Sequence, residues 1–124
     1  MRFLFVFFLT FNSLFANDYK ILSFDNHPIH GTLVSSNELS PFLAIIIAGS
    51  GPTDRDGNNS SMKSNYLKML AEELNKNGIS SFRYDKRGVS KSLGDIKNPN
   101  EIQFLDYVND AKSIINHFKD TKKI

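Results

Sequence analysis

Hydrophobic and polar positions along the chain change their period several times, and each change marks an expected element. YKILSF, from Tyr19 to Phe24, reads as a short strand, and DNHP after it is a turn signal closed by Pro28. IHGTLVSS, from Ile29 to Ser36, alternates and is rich in β-branched residues, so a second strand is expected, forming a hairpin with the first. NELSP (37–41) reads as a loop. FLAIIIA, from Phe42 to Ala48, shows no polar alternation. A strand apolar on both faces has to be covered on both faces, as in a parallel or mixed sheet flanked by helices.

The period then lengthens. NYLKMLAEELNKNG (65–78) places Leu67, Leu70, Ala71 and Leu74 at helical spacing, with Glu72, Glu73 and Lys76 on the other side and Asn77-Gly78 as the stop. ISSFRYD, from Ile79 to Asp85, is the next expected strand, and KRGVSKSLGDIKN (86–98) a loop. A second helix is expected from Asn98 to Phe118. Asn98 stands at its cap position, Pro99 at its first helical position and Glu101 three residues after the cap. Ile102, Leu105, Val108, Ala111, Ile115 and Phe118 would form its apolar stripe. The order strand, strand, strand, helix, strand, helix predicts an α/β fold with a mixed, mostly parallel sheet and flanking helices. There is no internal repeat or low-complexity segment.

The first residues follow another logic. Met1-Arg2 is a short positive start, FLFVFFL (3–9) an apolar core, and TFNSLFA (10–16) ends in a small residue. This is the pattern of a signal peptide, residues 1–16, cleaved after Ala16. Leu14, two residues before the final alanine, is larger than that position prefers, and an uncleaved anchor or lipid-facing helix is the alternative. The apolar stretch is too short for a stable membrane span. The expectation is an exported protein, periplasmic or secreted, with residues 17–124 as its one domain. Loss of the leader removes Arg2 from 15 basic residues set against 13 acidic ones, so the exported part is near neutral. It also removes six of the 11 phenylalanines. With no cysteine in the chain, a domain of this size stands on packing alone. Basic residues cluster only at Lys86-Arg87 and Lys122-Lys123, which gives no reason to expect a nucleic-acid partner.

One stretch stands apart from ordinary turns: the apolar run up to Ala48 stops at Gly49-Ser50-Gly51-Pro52, and the cluster Asp54, Arg55, Asp56 follows. A loop of small residues lets backbone approach a ligand closely, and a turn shaped only for packing is the alternative. Together with their neighbours these residues are similar to the front half of an α/β-hydrolase, in its esterase-like, serine-aminopeptidase-like branch. The likeness rests on GTL (31–33), on GSGPTDRDGN (49–58) and on LAEELNKNGISSFRYDKRGVSKS (70–92), in which RYDKRG looks like the family's D-x-R-G turn. The helix expected at 98–118 falls where the family places the one before its nucleophile strand.

The resemblance implies particular roles. In these enzymes the loop after the third strand supplies one backbone N–H of the oxyanion hole, here that of Ser50, flanked by Gly49 and Gly51. Pro52 would stiffen the exit. Asp54, Arg55 and Asp56 would lock the loop through local ion pairs and Asx-type turns. Asp85, Arg87 and Gly88 would pin the turn after the fourth strand. The implied substrate is a small ester or amide, and no cofactor or metal is implied.

Other groups carry less. GVSKS (88–92) lacks the last glycine of the nucleophile motif G-x-S-x-G, and Leu93-Gly94-Asp95 and a loop follow it where the motif needs a helix, so Ser90 is not expected to be a nucleophile. DRDGN (54–58) lacks EF-hand spacing, and neither a dinucleotide fingerprint nor a P-loop is present. His27, His30 and His117 are expected in surface or packing roles. Asp106 and Asp110, four apart on a helix, are expected on its solvated side. The family's triad runs Ser, acid, His along the chain, and the sequence ends at Ile124, where the nucleophile strand is expected to begin. The expectation is therefore an N-terminal hydrolase portion carrying the oxyanion loop without the triad, inactive alone, with a complementing C-terminal half as possible partner. Its third strand would then be an exposed edge. The alternative is a non-catalytic interaction module that completes its sheet with a partner chain.

Overall fold

The computed structural model describes residues 16–36 and 41–119. The expected leader lies outside these except for Ala16, as does most of the expected loop at 37–41. Four strands form one sheet: β1 (Ala16–Leu22), β2 (Pro28–Val34), β3 (Leu43–Ile47) and β4 (Ser80–Tyr84). Helix α1 (Tyr66–Lys76) connects β3 to β4, and α2 (Phe104–Phe118) follows β4 after two short 3₁₀ turns at Ser90–Ser92 and Pro99–Glu101.

The strand order is β1-β2-β4-β3. β1 and β2 form the expected antiparallel hairpin, with Tyr19 opposite Gly31, and β2 pairs antiparallel with β4, Gly31 opposite Tyr84. β3 pairs parallel with β4, Ile45 opposite Phe82. The β3–α1–β4 crossover is what a parallel pair requires. The sheet is thus mixed, and each helix buries a cluster against it. Ile114 and Phe118 of α2 pack with Leu43, Phe82, Tyr84, Ile21 and Ile29, while Leu67 and Ala71 of α1 pack with Ile46, Val34 and Ala48. Leu43 and Ile46 join different clusters, which explains why β3 lacks polar alternation.

α2 departs from expectation in where it starts and which face it buries. Asn98 does cap a turn, accepting a hydrogen bond from the Asn100 N–H at 3.1 Å, but that turn is 3₁₀ and ends at Ile102, whose backbone is extended. Gln103 is the true cap. Its backbone N–H donates to Asp106 Oδ2 at 2.9 Å and its side chain accepts from the N3 backbone, a reciprocal capping box. The inward face carries Asp110, Ile114 and Phe118, whereas Leu105 and Ile115 of the expected stripe are exposed. A buried carboxylate at Asp110 interrupts the apolar pattern and hides the face from a hydropathy reading. In α1 the expected stripe holds at Leu67 and Ala71, but Leu70 is exposed.

Candidate active-site loop

The chain leaves β3 through a buried Ala48 into Gly49, Ser50, Gly51 and Pro52, all exposed. Gly51 has φ +84°, a conformation glycine adopts without the Cβ clash other residues would meet. The segment beyond is tied to itself. Asp54 Oδ1 accepts from the N–H groups of Asp56 and Asn58, both at 2.9 Å, and the Asp54 N–H donates to Asn58 O at 2.8 Å. That is the expected Asx-type turn. The loop also starts α1: the Leu67 N–H donates to Asp56 O at 3.2 Å, and Asn58 and Asn65 exchange two hydrogen bonds at 2.8 and 2.9 Å.

The ion pairs of this loop are not the local ones expected. Arg55 and Asp56 reach past each other to the far end of β4. The Arg55 N–H donates to Asp85 Oδ1 at 2.8 Å, and its guanidinium meets Asp85 Oδ2 at 3.1 Å and donates to Thr32 Oγ1 at 2.9 Å. Asp56 pairs with Arg83 at 2.8 Å. Adjacent residues on the tight Asx turn point apart, and the cations and carboxylates at the β4 exit complement them. Arg55, Arg83 and Asp85 are buried, so each charge needs these partners.

DKRG (85–88) anchors three separate parts of the fold. Asp85 holds the loop after β3. The Arg87 guanidinium reaches Asp110 of α2 at 2.7 and 3.0 Å and Asp25 of the β1–β2 turn at 2.6 and 2.8 Å, and it stacks over the Phe24 ring at 5.3 Å. The Gly88 N–H closes the next turn on Ser92 O at 2.9 Å. Asp110 therefore is not on a solvated face: it is 1 % exposed, ion-paired to Arg87, and accepts a further hydrogen bond from Ser23 Oγ. The Arg87 bonds hold the Asp25 carboxyl down to about 2, and the same pairs raise Arg87. Burial, with the Asp110 charge, pushes the Tyr84 phenol up to about 12.

Lys86, between these two anchors, was no candidate in the sequence. Its Nζ donates to the carbonyl oxygens of Gly49 and Gly51, the latter at 3.0 Å, and desolvation pushes its ammonium below the ordinary lysine value. Only its place beside Asp85 could have signalled that it would reach the loop. Ser50 lines a cavity of about 610 Å³ whose walls include Ile47, Val89, Ile102, Phe104 and Tyr107. Among the described residues the Ser50 N–H donates to no protein acceptor. Ser90, at the start of the 3₁₀ turn that follows DKRG, does not line this cavity. His27 Nε2 meets Ser92 O at 2.9 Å, and the His117 ring packs edge-on against Tyr19 and Phe118. Among the described residues no three His, Cys, Asp or Glu side chains are grouped to hold a metal, and no helix is long and apolar enough to cross a membrane.

No protein-family profile and no curated protein matches the chain. Solved structures do. It resembles an alpha/beta hydrolase from Penicillium with a TM-score of 0.68 at 19 % identity, over 87 % of this chain and 33 % of that one. An esterase from Pyrococcus furiosus matches with a TM-score of 0.65 at 20 % identity, over 87 % of this chain and 36 % of the esterase. A lidless α/β serine hydrolase from Xanthomonas campestris matches with a TM-score of 0.61 at 16 % identity, over 90 % of this chain and 49 % of its own. The architecture is that of the N-terminal part of an α/β-hydrolase fold. The chain spans a third to a half of the length of these structures.

Proposed function

We propose that this chain supplies the N-terminal, oxyanion-loop portion of a serine hydrolase acting on small carboxylic esters or amides. The reading is carried by one observation: the turn Gly49-Ser50-Gly51 sits at the end of β3, with the Ser50 N–H free of acceptors among the described residues and beside a largely apolar cavity. A donor with no internal partner can stabilise charge that develops on a substrate oxygen. It cannot attack a carbonyl, and the sequence holds no G-x-S-x-G, so nucleophile, acid and base would come from residues outside it. The exported location suggested by the first 16 residues belongs to the same proposal.

The test is p-nitrophenyl acetate hydrolysis and fluorophosphonate labelling of the chain, alone and co-expressed with the polypeptide encoded immediately downstream. The chain alone is expected to show neither activity. Hydrolysis on co-expression, with the label on the downstream product, is the expected result. Labelling of Ser90 or Ser50 in the isolated chain would sink the proposal. A stable complex without hydrolysis would favour the second reading, an interaction module. That reading is supported by β3, which among the described residues pairs on one side only and carries an exposed Ile47.

A further inference from the structure

We propose that Lys86 is a positioning residue for the oxyanion donor: bound to the carbonyl oxygens of Gly49 and Gly51, its ammonium fixes the Gly49–Ser50 peptide and polarises the Ser50 N–H. The inference rests on the reading of Ser50 as that donor. A trans peptide is planar, with its C=O and N–H pointing in opposite directions, and none of the described peptides is cis. The Gly49 oxygen and the Ser50 N–H belong to one such unit, so holding the oxygen aims the N–H away from Lys86. The hold matters because a Cβ built on Gly49 or Gly51 would meet nothing within 4 Å. The glycines on either side of Ser50 add no side chain of their own to restrict this peptide.

The second bond, to Gly51 O at 3.0 Å, brackets Ser50 from its other side. It has no donor to polarise, because the next residue, Pro52, has no N–H. Of the two peptides that Lys86 grips, only the one ending in Ser50 carries an N–H. Hydrogen bonds in series strengthen one another, and those to an ionised donor are the stronger kind. A cation on the Gly49 oxygen draws density from the amide and makes the Ser50 N–H a better donor. The base of the lysine is itself fixed: Asp85 on one side is held by Arg55, and Arg87 on the other by Asp25 and Asp110.

The test is amide NMR of the ¹⁵N-labelled full chain with Lys86→Met, Lys86→Gln and Lys86→Arg, with circular dichroism melts as a check on folding. In Lys86→Met the order parameter of the Ser50 amide is expected to drop, and its base-catalysed solvent exchange to slow several-fold, more than that of Gly51. A general field effect would slow both alike. Lys86→Gln, a neutral donor, should keep part of the order but not the fast exchange, and Lys86→Arg should restore both. Unchanged order and exchange at Ser50 in Lys86→Met would overturn the proposal, as would equal slowing at Ser50 and Gly51. These readouts need no turnover, so failure of the Lys86 proposal is separable from failure of the hydrolase reading, which the ester assay decides. In an active assembly Lys86→Met is expected to lower kcat with little change in KM.

Discussion

Arg87 carries two carboxylates, and they do different work. Asp110 is buried and has little besides Arg87 and Ser23 Oγ to offset its charge, while the Asp25 side chain is 40 % exposed and shares its load with water. Breaking a buried pair from one side leaves an uncompensated charge, which costs about 3–5 kcal/mol. Because Asp25 still partners Arg87, Asp110→Ala is expected to cost about 3 kcal/mol, the lower end of that range, read from urea unfolding by circular dichroism. Asp25 sets an acid limit instead. Its folded pKa, about 2, lies below the ordinary 3.8, so the native state keeps a carboxylate that the unfolded chain has protonated. The stability it contributes is full above pH ~4 and is lost as pH falls toward 2. Asp25→Asn is expected to lower Tm at pH 6 and to flatten the fall in Tm between pH 4 and 2. A parallel fall in both proteins would contradict this. DKRG was legible in the sequence as a turn because its residue types are those of a pinned bend. The partners of its Arg87 were not legible: they lie 62 residues upstream and 23 downstream, and Asp110 reads as solvated from its spacing to Asp106.

Strands and the first helix follow from local periodicity, and α2 shows where that stops. Asn98-Pro99 is a sound start signal, and it does start a turn. The extended backbone at Ile102 then breaks the run, and Gln103 and Asp106 begin the helix again. β2 holds a second feature that periodicity cannot show. A Cβ on Gly31 would lie 2.2 Å from Phe82 Cζ and 2.9 Å from Arg83 O, so the strand accepts only glycine where the fully buried Phe82 ring crosses it. Overpacking of this kind costs about 1–3 kcal/mol, and Gly31→Ala is expected to lose that much in thermal or urea unfolding. Gly49→Ala, facing open space with no positive φ, should stay within about 0.5 kcal/mol of wild type. Equal stability of the two variants would mean that Phe82 moves aside and the close approach is not a constraint. The candidate loop was legible from composition, since a strand ending in Gly-Ser-Gly-Pro is unusual. The lysine that grips it comes from the turn after β4 and leaves no local pattern.

Among the described residues the sheet ends at β3, and that edge bears on how the chain associates. Among the described residues β3 pairs with β4 alone, and its last residue, Ile47, is 55 % exposed. A five-residue apolar edge strand presents free N–H and C=O groups to any other strand. The sequence suggested this edge only through the resemblance, because strand order is set by crossover geometry and leaves no periodic trace. α2 adds a second apolar surface, with Phe104 and Leu105 exposed on its first turn. Either surface could drive association, and their chemistry separates them. Edge pairing is directional and is opposed by a charge placed on the edge, whereas helix-face contact is indifferent to residue 47. The chain is therefore expected to self-associate with rising concentration in size-exclusion chromatography with light scattering, and Ile47→Lys should shift it toward monomer. If Ile47→Lys associates as wild type does while Phe104→Lys does not, the helix face is the sticky surface. The proposal of a partner strand beside β3 would then lose its main physical support.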